Sequence, residues 1–357
     1  MNIEVLNAIC LSLVDELNKT NIVNLLTNLS AHMQNMISQP QAPQHQQNVS
    51  QVKTDLISRL RGTRINDFSP FWKEHLKEIG FDGLYGNELA DKIEEIFANN
   101  QITIFVAHQE IVKISQKLSS LVTCINQLVS DLKTLNIGFE KLQDGQSEFG
   151  VLIPRMAINQ DIEQFADEIV EIKKIIDDFN ELITESRPEI KLKTIASSDY
   201  SILLDILPKV GLGLLYAISL IITTYQSILE IKKKHKELKA QGLPDDALKG
   251  VEDYANKKMA DSISQGVDEL IKTYASKMEK GRKSELSIAI NMSMNKLSNR
   301  IDSGYNFDVR FSDEKIEEEM NDENEEETKQ QIRDMSKNLK FMNQSGEKIL
   351  CLPEKTE

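Results

Sequence analysis

Apolar residues recur at helical spacing along most of this chain. The longest series alternates steps of three and four residues from Ile111 to Leu142, the spacing of a coiled-coil seam. A second series runs from Ile158 to Ile183 after a short interruption. Because two long helices joined by a short break usually fold back on each other, we predict a coiled-coil hairpin over residues 101–187. A globular helical bundle has the same pattern and stays open as the alternative.

The N-terminal third predicts shorter helices. Residues 1–33 have an apolar stripe typical of one amphipathic helix. Residues 34–51 are rich in Gln and Pro and nearly devoid of apolar residues, so we predict a linker there and a detachable first helix. Residues 52–100 predict short helices, one of them starting at Ser69 and Pro70.

Two segments alternate with period two and predict strands, at residues 188–196 and 305–312. They flank everything between them, so we expect them to pair. Residues 200–207 include Ile202, Leu203, Leu204, Ile206 and Leu207 and predict a helix, with Ser197, Ser198 and Asp199 as its candidate cap. With 15 glycines and 8 prolines in 357 residues, the predicted fold is mainly α: an elongated helical bundle or coiled-coil hairpins, with one hydrophobic helix and a small β element.

The net charge of −14 is concentrated near the C-terminus. Residues 313–327 contain ten acidic side chains and one lysine, which is typical of a solvated segment. We predict that residues 313–357 form an acidic tail with a C-terminal hairpin near its end. The acidity therefore says little about partners of the folded part.

The most distinctive segment is the apolar stretch over residues 197–229, predicted to be membrane-active. Residues 210–229 carry no charge, and about 20 such residues are enough for a helix to cross a bilayer. The predicted membrane or pore residues are Val210, Gly211, Gly213, Leu214, Tyr216, Ala217, Ser219, Leu220, Ile221, Thr223, Thr224 and Tyr225.

A basic helical region follows over residues 230–304. Its cations suit either an anionic membrane or the phosphates of a bound nucleotide or oligonucleotide, and a merely solvated face is the alternative. The candidate basic flank or ligand face consists of Lys232, Lys233, Lys234, Lys236, Lys239, Lys257, Lys258, Arg282 and Lys283.

Two features argue against a permanent single-pass anchor. Ser, Thr and Gln make the second half of the apolar segment more polar. We also expect no signal sequence that would carry the roughly 200 residues before the segment across a membrane. We therefore expect conditional insertion, or a pore in which an oligomer shelters the polar face. The alternative is a buried core helix of a soluble protein.

Common catalytic motifs are absent from the sequence. It has no GxxxxGK[ST], HExxH or GxSxG motif, five scattered histidines and three widely separated cysteines. We expect no enzyme activity, no cofactor and no metal site. The cysteine usage favours a reducing compartment, so we expect a cytoplasmic protein that inserts conditionally or lies at the cytoplasmic side of the inner membrane.

The block from residue 197 to residue 259, SSDYSILLDILPKVGLGLLYAISLIITTYQSILEIKKKHKELKAQGLPDDALKGVEDYANKKM, resembles helical bacterial proteins of phage-defence loci. The layout also resembles the ion-channel effector of Hailong-type defence. That resemblance implies a homo-oligomeric channel, a pore at residues 210–229 and a basic site for an inhibitory oligonucleotide made by a nucleotidyltransferase partner. The chain is also similar in layout to helical pore-forming toxins.

The leading hypothesis is an oligomeric membrane pore or ion-channel effector of bacterial antiphage defence. An inhibitor would hold it inactive until infection, when it would depolarise the membrane. The alternative is a soluble coiled-coil scaffold or interaction protein that never inserts.

Overall fold

The computed structural model describes residues 3–139, 142, 147–159, 161–196, 200–240, 251–311, 335, 339 and 348–354. The chain divides into two compact units, Met1–Lys141 and Leu142–Glu357, each with its own core. The predicted mainly helical fold with a small β element is confirmed.

The first unit is entirely helical within the described residues. Helix α2 packs against α3 and α6, and α1 also packs against α6. The helices of this unit are α1 (Ile3–Thr20), α2 (Ile22–Ser38), α3 (Pro43–Gly62), α4 (Pro70–Glu78), α5 (Gly86–Asn99) and α6 (Ile104–Thr134).

The predicted linker over residues 34–51 is wrong, and so is the detachable first helix. Helix α2 extends to Ser38, and α3 begins at Pro43. Proline has no backbone N–H, but this costs no helical hydrogen bond at Pro43, because the N–H groups of a first turn have no partner within the helix. Glutamine is a good helix former, so Gln-rich composition does not exclude a helix. The predicted single helix over residues 1–33 is two helices, because Asn21 adopts a left-handed conformation with φ 55°.

Helix α4 begins as the sequence predicts. The Ser69 hydroxyl accepts a hydrogen bond from the Trp72 backbone N–H at 3.3 Å, and Pro70 occupies the first turn. The Trp72 ring packs edge-on against Phe68, with 5.1 Å between the ring centroids. The only tryptophan of the chain therefore lies in the first unit and reports on it.

The predicted coiled-coil hairpin over residues 101–187 is also wrong. Helix α6 ends at Thr134, and strand β1 (Ser147–Leu152) precedes helix α7 (Ile162–Thr184). The two helices belong to different units, and each packs within its own. Apolar residues that alternate in steps of three and four indicate that one face of a helix is buried, but they do not identify the element that packs against it. The series also outlasts α6, since Leu135 is 68% exposed beyond its end.

The second unit combines α7 with a four-stranded antiparallel sheet and three more helices. The strand order is β2-β3-β1-β4. Its further elements are β2 (Lys191–Ala196), β3 (Ser201–Ile206), α8 (Pro208–Ala240), α9 (Val251–Tyr274), α10 (Lys280–Asp302) and β4 (Asn306–Phe311).

The two predicted strands exist, at 191–196 and 306–311, but they do not pair with each other. They form opposite edges of the sheet, with β3 and β1 between them. The helix predicted for residues 200–207 is strand β3, so the apolar helix begins only at Pro208. Nearly every residue of β3 is buried, which removes the alternation that marks a half-exposed strand.

The predicted basic helical region contains two helices, α9 and α10, with a break between Tyr274 and Lys280. Helix α8 extends into this region as far as Ala240. The acidic run at 313–327 and the turn of the predicted C-terminal hairpin lie outside the described residues. Residues 348–354 are described and have no regular secondary structure.

A matched pair of leucine variants tests the packing of the first unit. Leu29→Ala removes a fully buried side chain from α2 and should lower the free energy of unfolding by about 2–5 kcal/mol. Leu135→Ala changes a mostly exposed side chain and should cost about 0.5 kcal/mol or less. Urea denaturation followed by Trp72 fluorescence measures both. Equal losses of unfolding free energy would contradict the conclusion that the buried apolar series ends with α6.

Candidate functional site: the apolar helix and its enclosure

Helix α8 combines the length and the composition needed to cross a membrane. Within the described part of the chain it is the one helix that qualifies, over Pro208–Lys234. It lies at the centre of the second unit, where α7, α9, α10, β1 and β4 all contact it. In this fold 61% of its most apolar stretch is buried, so the enclosure covers most of the surface that a membrane would otherwise cover.

Two glycines bring the first turns of α8 close to their neighbours. A side chain at Gly211 would approach the Ser147 hydroxyl to 3.1 Å and the Phe311 ring to 3.2 Å. A side chain at Gly213 would lie 2.6 Å from the terminal methyl of Ile183. In this structure the two predicted pore glycines therefore pack against the sheet and α7 of the same chain.

The buried predicted residues of α8 face the core. Val210, Leu214, Ala217, Ile221 and Tyr225 are all fully buried, together with Leu215 and Ile218, which the sequence analysis did not single out. Ser219 and Thr224 are buried as well. Tyr216 and Leu220 are half-buried, and Thr223 is exposed.

The polar side of α8 faces α9. Three side-chain pairs run antiparallel along this contact: the Tyr216 hydroxyl with Glu269, the Thr224 hydroxyl with the Ser262 hydroxyl at 2.8 Å, and the Ser227 hydroxyl with the Lys258 ammonium. Gly266 of α9 lies against Leu220 in the same series. We call these three pairs the polar ladder. It supplies hydrogen-bond partners to Thr224 and Ser227, two of the polar residues that make the segment a poor hydrocarbon-facing helix.

A buried carboxylate ties α8 to two other parts of the unit. The Tyr225 hydroxyl donates to one Asp302 oxygen at 2.6 Å, and both side chains are buried. The other Asp302 oxygen accepts the backbone N–H groups of Ile349 at 2.7 Å and Leu350 at 2.8 Å. Asp302 ends α10, so one side chain joins α8, α10 and the C-terminal residues.

Polar pairs also hold α7 against α10. Glu171 bonds to the Lys296 ammonium at 2.7 Å, and Asp178 accepts from the Ser293 hydroxyl at 2.6 Å. The remaining pairs of this contact are Glu168 with Arg300 and Glu181 with Arg282. The pairs descend one helix as they ascend the other, which fixes the antiparallel register.

The pKa values of two of these carboxyls shift in opposite directions. Hydrogen bonds from Lys174 and Lys296 lower the pKa of Glu171 to about 2, because they stabilise its charged form. Burial raises the pKa of Asp178, and the Ser293 hydroxyl and Arg187 only partly offset it.

The candidate basic residues do not form one cluster. Lys257 is exposed on α9 and Lys258 is engaged by Ser227, whereas Arg282 pairs with Glu181 and Glu285 at the other end of the α9–α10 hairpin. Lys283 donates to the Ser276 carbonyl at 2.7 Å. Most of α9 lies between Lys258 and Arg282, and the helical stretch from residue 258 to residue 274 alone is about 24 Å long.

The lysines after the apolar segment continue α8 toward solvent. Lys233 and Lys234 are exposed and Lys232 is half-buried. The side chains of Lys236 and Lys239 lie outside what the structure describes. Lys233 and Lys234 form the end of the candidate span Pro208–Lys234, and their exposed side chains suit an anionic surface.

Several residues of the enclosure escaped the sequence analysis, above all Asp302, Glu269 and Ser262. Their partners are 77, 53 and 38 residues away in the chain, and no local pattern reports such a pairing. Among the described residues, no group of three His, Cys, Asp or Glu side chains could hold a metal ion.

No model of a known protein family matches this chain, and neither does any curated protein or solved structure. The likeness to defence effectors and pore-forming toxins therefore stays a prediction. Arguments about function depend on the geometry of α8 and its enclosure.

A pair of tyrosine variants tests the anchoring of α8. Tyr225→Phe removes the hydroxyl from a buried carboxylate and should cost about 1–3 kcal/mol, because that oxygen loses its donor away from water. Tyr216→Phe should cost less than about 1 kcal/mol, because Glu269 is exposed and water replaces the lost partner. Hydrogen exchange of α8 peptides measures both, and a larger effect at Tyr216 would contradict the assignment.

The two shifted carboxyls make opposite predictions for acid stability. A lowered pKa means that the unfolded chain takes up the proton first, so the contribution of Glu171 is lost as pH falls from about 5 toward 2. Glu171→Gln should therefore make the loss of stability on acidification shallower. The raised pKa of Asp178 favours the folded state at low pH, so Asp178→Asn should make that loss steeper. Calorimetry across this pH range checks both signs, and a shared direction would refute them.

Proposed function

We propose that this protein is a conditional membrane-inserting protein that keeps its spanning helix, α8, as the core helix of the second unit. The observation that carries the proposal is the combination of a span-length helix, uncharged over residues 210–229, with a polar ladder that pairs its Tyr216, Thr224 and Ser227 hydroxyls in the folded state. The water-soluble form hides the apolar side chains and pairs the polar ones.

The energetics favour a change of environment over exposure to water. Each large apolar side chain of α8 is worth about 1.5–3 kcal/mol when it is removed from water. A bilayer provides that removal as well as the surrounding helices do, since lipid tails are as apolar as leucine. Insertion therefore replaces one apolar environment by another, and the apolar side chains neither oppose nor drive it strongly.

The polar ladder argues for a pore over a single-pass anchor. On insertion, Tyr216, Thr224 and Ser227 lose Glu269, Ser262 and Lys258, and hydrocarbon offers no substitute. Neighbouring α8 helices or a water-filled lumen would supply new partners. We therefore propose a homo-oligomer in which this face lines the pore, while exposed Lys233 and Lys234 lie at an anionic lipid surface.

The resemblance to a defence channel adds further parts to the proposal: a bacterial antiphage role, the cytoplasmic side of the inner membrane, and an oligonucleotide inhibitor from a nucleotidyltransferase. Lys257 and Arg282 lie near opposite ends of the α9–α10 hairpin. An oligonucleotide would therefore need to contact them as separate sites. Co-purification with a nucleotidyltransferase encoded nearby would support this part of the proposal.

A disulfide between α8 and α9 tests the conditional release directly. The hydroxyl oxygens of Thr224 and Ser262 are 2.8 Å apart, so cysteines at both positions face each other closely enough to bond. In a background with Cys124→Ser and Cys351→Ser, oxidised Thr224→Cys/Ser262→Cys should not release dye from anionic vesicles. Reduction should restore release to the level of the background protein.

The two single-cysteine variants are the matched controls and should release dye whether oxidised or reduced. Equal release by the oxidised and reduced double variant, with the disulfide confirmed by mass spectrometry, would sink the proposal that α8 leaves α9. Absence of release by the background protein on every anionic vesicle, from neutral to acidic pH, would sink membrane activity itself.

A soluble scaffold is the second candidate, and the burial of most of α8 favours it. Thr223 separates the two, because its side chain is exposed near the middle of α8. Thr223→Lys should leave the folded state unchanged within about 0.5 kcal/mol. In a membrane the lysine places a charge near the bilayer midplane. A lysine that faces lipid costs about 3 kcal/mol of insertion free energy, whereas one that faces the pore lies in the ion path. Conductance that is lost or shifted in ion selectivity supports insertion, and unchanged vesicle behaviour supports the scaffold.

A further inference from the structure

The last described residues, 348–354, pass over α9 and α10 in an extended form that we call the C-terminal segment. Its side chains alternate. Leu350 and Leu352 are buried in the core of the second unit, whereas Cys351 between them and Pro353 after them are exposed. Residues 312–347 join this segment to β4.

Four polar side chains bind the backbone of the segment. Asp302 accepts from the N–H groups of Ile349 and Leu350, and Asn256 accepts from that of Cys351 at 2.8 Å. Asn299 accepts from the Leu352 N–H at 3.1 Å and donates to its carbonyl at 2.9 Å. Asn295 donates to the Pro353 carbonyl at 3.0 Å. We call Asn256, Asn295, Asn299 and Asp302 the peptide groove.

This is how proteins bind an extended peptide. Every N–H from Ile349 to Leu352 has an acceptor on α9 or α10, and Pro353 has no N–H that needs one. Asn299 bonds to both the N–H and the carbonyl of Leu352, as the backbone of a neighbouring strand would do in a β-sheet. Backbone contacts provide affinity, and the pockets of alternate side chains provide selectivity.

The segment could be a fixed part of the core or a bound ligand, and the contacts favour a ligand. Helices α9 and α10 supply the groove, and the segment adds no helix or strand to the unit. Its side chains contribute the two buried leucines, half-buried Ile349 and a hydrogen bond from Asn299 to the Glu354 carboxylate at 2.9 Å, and the other bonds described above are polar ones to its backbone. Water can satisfy those groups once the segment leaves.

We propose that the peptide groove is an extended-peptide binding site, and that residues 348–354 of the same chain are its exchangeable ligand. Occupancy also concerns α8, because Asp302 binds the segment through one oxygen and Tyr225 of α8 through the other. Release of the segment leaves Asp302 with one of these three donors. This second part of the proposal rests on the proposed function. The bound segment would hold Asp302, and through it α8, in place, and its release would ease the exit of α8; we call this role of the segment the latch.

The test cuts the connection without removing the ligand. A protease recognition sequence inserted between residues 327 and 328 is cleaved in the folded protein, and the products are separated by size exclusion. The C-terminal fragment should co-elute with the remainder. A fluorescent peptide of residues 346–357, added in excess, should replace it and give a saturable rise in anisotropy.

Peptide and protein variants identify the contacts. A peptide with Leu350→Asp and Leu352→Asp should bind more than about tenfold more weakly, whereas Cys351→Ser, which changes an exposed side chain, should bind within about twofold of the parent. Asn299→Leu in the protein should weaken the parent peptide by about tenfold or more, because it removes both bonds to Leu352.

Three results would overturn the site: a fragment that separates and never rebinds, cleaved protein that aggregates, or a fragment that excess peptide never displaces. The latch has its own readout. Cleaved protein stripped of the fragment should release vesicle dye faster than uncleaved protein, and added peptide should slow it again. Peptide exchange without any change in the rate of dye release overturns the latch alone. Equal dye release by the oxidised and reduced Thr224→Cys/Ser262→Cys variant overturns insertion.

Discussion

Twenty residues without a charge cannot lie at a water-exposed surface, and the second unit is arranged around that constraint. Helix α8 contacts three helices and two strands of its own unit. The glycines at 211 and 213 let the sheet and α7 approach it, and the polar ladder pairs its hydroxyls. The sheet, the α9–α10 hairpin and the Asp302 carboxylate all follow from enclosing this helix.

The enclosure is asymmetric in chemistry. Toward α7 and the sheet, α8 presents glycines and aliphatic side chains, and its contacts there are close and apolar. Toward α9 it presents hydroxyls, and toward the end of α10 it presents Tyr225. Hydrogen bonds are directional, so the α9 face sets the register of α8, whereas the apolar face supplies most of the burial. A helix held in this way has one side that lipid can replace and one side that it cannot.

Sequence patterns predicted elements well and partners poorly. The Ser69 cap and the strands at 191–196 and 306–311 carry local signals, and the structure has them. Strand β3 has no alternation because it is buried almost throughout, and the 34–51 stretch lacks the apolar residues that reveal helices. The partners of Tyr225, Thr224 and Leu352 depend on pairs far apart in the chain, which no periodicity encodes.

The polar ladder has a consequence for speed as well as for equilibrium. Helix α8 cannot slide away from α9 without breaking the part-buried hydrogen bonds of Thr224 and Ser227 before any new partner is near. Such a step has a large activation enthalpy and a steep temperature dependence. In the proposed insertion, the folded form would then be long-lived because leaving it is slow, even where an inserted form is lower in free energy. The folded chain would behave as a kinetically trapped state with a defined lifetime.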